Sequence, residues 1–250
     1  MRSFISEIKK TKNRFIWLML PAALTLDGVW MYWILTKAKE VELAEGYYNL
    51  LMAFPLVNTI ILPLIIAAVA SRLCDMENKG NTYKMLCTLQ EKESIFRNKL
   101  ILGGGYLAGF VVLQFVLILL LGWRFKISQK LPWEHIAYYL FATFMTSLIL
   151  MLLQEILSLM MDNQLYPLFI GLIGTFVGLF SWFFPNLPLR YMIPWGYYCV
   201  GCTINNIWYE DTRVVEYFTI SFSYAGFAVL IVFGVLLYIY GRNLFLKKEV

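Results

Sequence analysis

Residues that could carry out chemistry are few in this sequence. His135 is the single histidine, and a zinc site or a Ser/His pair would need more histidines or a convincing partner. Cys199 and Cys202 form a C-x-x-C pair, but two thiols do not complete a zinc site. We expect the two cysteines to pack as small apolar residues, with a disulfide between them as the alternative. The sequence contains no G-x-x-x-x-G-K-[ST] motif. We therefore predict no catalytic residue, no metal site and no cofactor bound by this chain.

Two carboxylates, Asp27 and Glu155, lie inside long apolar stretches. A charged group at membrane depth is costly and usually faces a bundle interior or a watery cavity. We predict that both line a cavity. The alternative for Asp27 is a locally satisfied structural acid, and for Glu155 a structural side chain that snorkels to the cytoplasmic end of the fourth span. They fall near opposite ends of antiparallel spans, which disfavours a catalytic carboxylate pair. Asn58, between Pro55 and Pro63, is predicted to satisfy backbone groups that the prolines free.

The composition identifies the elements that hold these residues. Hydrophobic residues make up 60% of the 250 residues and charged residues 15%, whereas soluble domains average about 45–50% and about 25%. Six stretches are long and apolar enough to span a membrane. We predict an all-α integral membrane protein with one domain, residues 1–250, and six transmembrane helices at Phe15–Leu35, Tyr47–Val69, Leu100–Leu121, Ile136–Leu159, Leu165–Phe184 and Phe218–Tyr240.

The basic residues predict the orientation. An even number of spans puts both termini on one side, which carries fourteen of the 21 Lys and Arg residues. Cytoplasmic loops carry the excess of Lys and Arg, so we expect both termini to be cytoplasmic. Phe4, Ile5 and Ile8 recur at helical spacing and predict a short interfacial N-terminal helix, with a frayed charged terminus as the alternative. The net positive charge follows from this bias and indicates no nucleic-acid partner.

Small residues and a short connection predict close packing of the spans. Gly105-xxx-Gly109 and Gly174-xxx-Gly178 are typical of helices that approach closely. Little more than residues 160–164 separates the fourth span from the fifth, and Asp162-Asn163 is typical of a tight turn.

The cytoplasmic loop, about residues 71–99, mixes charge with an apolar pattern. Asn81 or Thr82 could cap a short helix there. A membrane protein without its own energy source needs a docking surface for a partner, which such a helix would provide; a solvated loop is the alternative. The apolar positions of this helix would be Tyr83, Met85, Leu86 and Leu89.

Two stretches resemble known permeases. The segment Glu77–Leu86, ENKGNTYKML, followed by Lys99-Leu100, resembles the coupling segment of ABC type 2 permeases, which carries an acid, a small-residue turn with Thr, an aromatic residue and Lys-x-Leu, and a further Lys that opens the third span. Gln90 departs from the pattern, since such loops often have Pro there. The hairpin between the fourth and fifth spans of the lantibiotic-immunity group is similar to Leu157–Asn163 with Leu168, Gly171, Gly174 and Gly178.

The resemblance implies a permease subunit, not an enzyme, in the bacterial plasma membrane. Cytoplasmic P-loop ATPase subunits would bind ATP and Mg²⁺, and a second homologous permease, or a second copy of this chain, would complete the transporter. The implied task is export of a membrane-active antimicrobial peptide for self-protection. The residues implied to couple the permease to the ATPase are Glu77, Asn81, Thr82, Tyr83, Lys84 and Leu86.

The outer connection, about residues 185–216, is long for a segment without secondary structure unless it is functional. Pro185, Pro188 and Pro194 favour short broken helices. We predict a surface that contacts the substrate, with an aromatic membrane belt as the alternative. The surface would comprise Tyr191, Trp195, Tyr197, Tyr198, Trp208 and Tyr209.

Three other functions stay open on the sequence. An ABC permease for another drug, peptide or lipid would have the same fold. A non-catalytic membrane scaffold would bind partners without ATP-dependent protection. An intramembrane enzyme would need Glu, Arg and His clustered in the spans, which the peripheral His135 and the scattered acids disfavour.

Overall fold

The computed structural model contains a bundle of six long helices. It describes residues 7–11, 15–79, 85, 88–184, 188–210 and 214–248, and leaves the side chains of residues 40, 41, 76–79 and 214 undescribed. Residues 7–11 are helical and precede the bundle. The long helices are α1 (Ile16–Lys37), α3 (Gly46–Lys79), α4 (Lys92–Arg124), α5 (Trp133–Met160), α6 (Leu165–Phe183) and α9 (Tyr224–Lys247), with a short α2 (Glu40–Ala44) between the first two.

The six helices alternate in direction, so the bundle has two distinct ends. We call the end where α1 begins and α9 stops the terminal face, and the other end the opposite face. Lys92 Nζ donates a hydrogen bond to the Lys248 carbonyl, 2.7 Å away, and Arg242 pairs with Glu93 at 2.7 Å, so the start of α4 meets the end of α9. All six helices are long and apolar enough to cross a membrane. The prediction of an all-α integral membrane protein with six spans is confirmed.

Helices α3 and α5 form the centre of the bundle. In their most apolar stretches 61% and 56% of the residues are buried, against 22% in α9. Pro55 and Pro63 lie inside α3 without ending it, and the Thr59 hydroxyl donates to the Pro55 carbonyl at 2.8 Å. Asn58 was expected to satisfy such backbone groups, but its side chain bonds other side chains instead.

Short elements form the connection between α6 and α9 at the opposite face. Helix α7 (Leu189–Met192), a 3₁₀ turn (Pro194–Gly196) and α8 (Tyr197–Val200) are followed by strands β1 (Ile204–Tyr209) and β2 (Val214–Thr219). The strands pair antiparallel, with Ile204 opposite Thr219 and Tyr209 opposite Val214. Broken helices were predicted here, whereas the hairpin was not.

The sixth span begins later than predicted. It was expected at Phe218–Tyr240, but α9 runs from Tyr224 to Lys247 because residues 214–219 pair as β2. This segment, VVEYFT, is rich in β-branched and aromatic residues that favour a strand, and apolar content alone cannot distinguish a strand from a helix.

The loop predicted at residues 71–99 is largely helical. Helix α3 continues to Lys79 and α4 already begins at Lys92. Charged residues mark where a helix leaves lipid, but they do not end it, so the spans were predicted too short. The turn predicted at Asp162-Asn163 does separate α5 from α6, and the Asn163 side-chain oxygen accepts a hydrogen bond from the Leu165 N–H at 2.9 Å.

Glycines on α6 make room for the outer connection. A Cβ added at Gly174 or Gly178 would overlap Trp195, and one at Gly171 would crowd Ala67 of α3. The close packing predicted for Gly174 and Gly178 is therefore present, against an indole from the outer connection. Gly105 and Gly109 differ, because nothing lies within 4 Å of a Cβ added at either position.

We expect Gly174→Ala to destabilise the protein by about 1–3 kcal/mol, because the new methyl group overpacks the contact with Trp195. Gly109→Ala makes the same change on an open helix face and serves as the matched control. The measurement is the melting temperature in detergent, which we expect to fall for Gly174→Ala only. Equal melting temperatures for the two variants would contradict the packing described.

Candidate functional site

Four polar side chains meet in the interior of the bundle and form what we call the central polar network. Gln114 Nε2 donates to Asp27 Oδ2 at 2.6 Å and to Asn58 Oδ1 at 2.9 Å. The Tyr139 hydroxyl donates to Gln114 Oε1 at 2.7 Å and accepts from Asn58 Nδ2 at 3.0 Å. All four residues are buried. The Gln114 amide thus uses both of its N–H groups and its oxygen.

Each member of the network comes from a different helix: α1, α3, α4 and α5. Polar groups inside an apolar bundle must find partners within the protein, so the network favours one relative placement of these four helices. Asp27 Oδ1 has no hydrogen-bond partner among the described residues. No group of three metal-binding side chains occurs within the described part of the chain.

A second buried site surrounds Lys99 near the terminal face, and we call it the Lys99 cluster. Lys99 Nζ donates to the Leu73 carbonyl of α3 at 2.6 Å and pairs with Glu7 Oε2 at 3.4 Å. The Lys99 and Glu7 side chains are only 0% and 1% exposed. Glu7 Oε1 also pairs with Lys10 at 2.7 Å. The cluster ties the N-terminal helical segment to α3 and α4, the two helices that flank the predicted coupling segment.

Glu155 of α5 is buried beside this cluster. Lys99 and Glu7 are the charged groups that act electrostatically on it. Neither of its carboxylate oxygens has a hydrogen-bond partner among the described residues, and the same holds for the side-chain polar atoms of Gln154 and Ser158. The half of α5 that is nearer to the terminal face therefore carries three buried polar side chains. In this conformation they form no hydrogen bonds to the described part of the chain.

Most of the predicted coupling residues cannot be placed. Asn81, Thr82, Tyr83, Lys84 and Leu86 lie outside the described residues, as does the side chain of Glu77, whose backbone belongs to α3. Their role in coupling stays a prediction.

At the end of the coupling segment and just after it, three residues are described and helical: Met85, Thr88 and Leu89. Met85 and Leu89 are four residues apart and are 66% and 71% exposed. They offer an apolar pair on the surface of the protein.

The six aromatic residues predicted to contact substrate divide into two groups. Tyr191, Trp208 and Tyr209 are exposed. The other three are buried and anchor the outer connection: Trp195 packs against α6, the Tyr197 ring meets Phe227, and the Tyr198 hydroxyl lies 2.8 Å from Ser147 Oγ. In this conformation the predicted contact surface is therefore reduced to its exposed group.

The cysteine pair and the histidine have structural contacts at the opposite face. Cys199 and Cys202 are both free thiols. Burial raises the pKa of both, that of Cys202 to about 12, so they stay protonated and poorly nucleophilic near neutral pH. His135 Nδ1 lies 2.9 Å from Thr203 Oγ1, a contact that links α5 to the segment before β1.

Sequence reasoning missed Gln114, Tyr139 and Glu7. Gln114 is the one polar residue in the apolar run 110–121, and searching each span for isolated polar residues would have found it. Tyr139 gave no signal, since tyrosines are common at the ends of membrane helices. Glu7 lies in a charged N-terminal segment, where burial of a carboxylate is unexpected.

The family model described as ABC-2 family transporter protein matches residues 3–178, which include both buried sites, whereas α7, α8, the hairpin and α9 lie beyond the match. No curated protein matches the chain. A protein of this transporter family is the membrane component of a transporter, and membership implies association with an ABC ATPase. The chain belongs to the ABC-2 family of transporter proteins.

Proposed function

We propose that this permease is part of an ATP-driven exporter that removes a lantibiotic or similar membrane-active antimicrobial peptide from the bacterial plasma membrane. The family membership supports the transport role. The exposed face of the β-hairpin, which lies outside the family match, supports an amphipathic substrate. Self-protection of the producing cell is the function that follows.

The hairpin has one apolar face with an acid in it. Cross-strand pairing puts Ile207 opposite Glu216, with Phe218 and Tyr209 on the same face. Ile207, Tyr209 and Phe218 are 47%, 45% and 39% exposed. The hydrogen bond to Glu216 raises the pKa of Tyr209. Apolar side chains around a carboxylate suit a peptide that carries both apolar and basic residues.

In this proposal the chain does no covalent chemistry. ATP and Mg²⁺ are bound by separate cytoplasmic P-loop ATPase subunits, and a second permease, a sister chain or another copy, completes the transporter. Both termini are cytoplasmic, and the whole chain acts as one permease domain. Nucleotide-driven movement passes through the coupling segment to α3 and α4, which Lys99 joins.

The partner is tested by purifying the tagged chain from native membranes in mild detergent and identifying bound proteins by mass spectrometry. We expect a stoichiometric P-loop ATPase, and a second six-span chain would favour the arrangement of immunity transporters. A preparation without ATPase, repeated after crosslinking, would contradict the proposal and favour the scaffold alternative.

The substrate is tested by cell survival against a panel of lantibiotics, bacitracin and unrelated drugs. We expect the variant Tyr209→Ala to lower peptide protection about fivefold, since an aromatic contact contributes about 1 kcal/mol. Tyr240→Ala, at an exposed position on α9 far from the hairpin, is the control. Protection against other drugs but not peptides would favour the alternative of a permease for a different substrate.

A further inference from the structure

An open cleft of about 510 Å³ lies at the opposite face, where α4 ends and α3 begins. Gln129 fastens the loop after α4 to the start of α3, because its Oε1 accepts hydrogen bonds from the backbone N–H groups of Tyr47 at 2.9 Å and Tyr48 at 3.3 Å. The Tyr47 hydroxyl lies against Gly122, where an added Cβ would overlap it. The cleft therefore has a fixed wall.

Among the described residues, Arg124 and Lys126 are the charged ones that line the cleft. Neither forms an ion pair with a described residue. Arg124 lies over the ring of Phe125, 5.7 Å from its centroid, a contact that leaves its charge unneutralised. Two cations without an acidic partner in the described part of the chain create a local positive potential that attracts an anion.

Lys126 occupies a position that suits glycine. Its φ is 51°, and hydrogen bonds from Ile127 N–H to Gly122 O at 3.0 Å and from Lys126 N–H to Trp123 O at 3.3 Å close α4 with a Schellman motif. Glycine adopts this left-handed conformation without steric cost. A lysine here strains the backbone and places a charge at the cleft. The helix macrodipole also favours a cation at this end, and the stability measurement below separates that effect from ligand binding.

An exposed apolar face of α4 runs from the cleft towards the terminal face. Leu119 and Trp123 line the cleft, and Ile101, Val112 and Val116 lie on the same side of the helix at helical spacing. These three side chains are exposed, at 51%, 61% and 42%. Nothing lies within 4 Å of a Cβ added at Gly105 or Gly109 on this face. At 1.5 Å per residue the face from Ile101 to Trp123 is about 33 Å long, longer than one lipid chain.

We propose that the cleft binds the phosphate-bearing headgroup of an anionic phospholipid, whose acyl chain lies along the exposed apolar face of α4. The cleft lies at the end of a membrane-spanning helix, the depth at which headgroups meet interfacial aromatic residues such as Tyr47 and Trp123. A free phosphate would contact the two cations but not the apolar face. A phospholipid contacts both, and we therefore favour it as the occupant.

The test is native mass spectrometry of the full chain with an equal mixture of phosphatidylglycerol and phosphatidylcholine. We expect the wild type to retain phosphatidylglycerol preferentially. The variant Arg124→Gln/Lys126→Gly should reduce this preference about thirtyfold, since each of the two cations contributes about 1 kcal/mol towards an anionic lipid near a membrane surface. Lys130→Gln, an exposed cation of the same loop that does not line the cleft, should keep the preference.

Two further measurements test the proposal, one with the single variant Lys126→Gly and one with inorganic phosphate as a competitor. Lys126→Gly alone should keep or raise the melting temperature, because glycine suits the helix end, and should still reduce the lipid preference. Millimolar inorganic phosphate should not displace phosphatidylglycerol. An unchanged preference in both variants, or displacement by phosphate alone, would overturn the proposal.

Discussion

Replacement of Lys99 by methionine is expected to destabilise the protein by about 3–5 kcal/mol. The substitution leaves the Glu7 carboxylate and the Leu73 carbonyl in a buried site without the ammonium that binds both. Glu7 then keeps only Lys10 of its two cationic partners, and a buried charge that loses a partner is costly. The measurement is the melting temperature in detergent with the yield of monodisperse protein. Because Lys99 joins the two helices that flank the coupling segment, partner-dependent transport should also be lost.

Lys130→Met is the control for this experiment, since Lys130 is exposed on the opposite face. The double variant Glu7→Gln/Lys99→Met should be more stable than Lys99→Met, because a neutral amide is cheaper to bury than a carboxylate that has lost one of its two cationic partners. Equal melting temperatures for Lys99→Met and Lys130→Met would show that the cluster does not hold the terminal face together.

The second large effect is expected for Gln114→Leu, which should cost about 2–4 kcal/mol. One amide contacts Asp27, Asn58 and Tyr139, and hydrogen bonds between membrane helices average about 0.6 kcal/mol with a maximum near 1.7 kcal/mol. The lost hydrogen bonds join four helices, so the loss of stability should affect all four together. Unfolding in detergent should therefore remain a single transition, at a lower temperature.

A double-mutant cycle separates the network from simple loss of volume. The Asp27→Leu and Gln114→Leu effects should not add, because replacing both partners with apolar groups leaves fewer orphaned polar atoms than replacing one. We expect a coupling energy of about 1 kcal/mol between the two positions. Strict additivity would mean that Asp27 and Gln114 are independent and that the network is not a unit.

The two buried sites suggest how movement could pass through this permease. The Lys99 cluster contacts α3, the helix that leads into the predicted coupling segment, and the central polar network lies deeper, where α1, α3, α4 and α5 meet. Helix α4 carries both Lys99 and Gln114, and α5 carries both Glu155 and Tyr139. A displacement of α4 at the terminal face would therefore strain contacts in the interior.

The sequence by itself determined the membrane class, six spans and the tight turn at Asp162-Asn163. These features depend on apolar content and local turn preference, which neighbouring residues set. The order of the helices along the chain and the resemblance to ABC type 2 permeases could also be read from the sequence. The start of the sixth span was wrong, because β2 consists of the same apolar residue types that a membrane helix uses.

Only the tertiary structure decided what the polar residues do. Asp27 and Asn58 looked like isolated residues, yet folding brings them to one glutamine that the sequence reading passed over. Trp195, Tyr197 and Tyr198 were expected at the surface, but the glycines of α6 and Ser147 of α5 create the space and the partner that bury them. The reason is physical: hydrophobicity is a property of each residue and can be read along the chain, whereas a hydrogen bond depends on where a distant partner lies, which only packing determines.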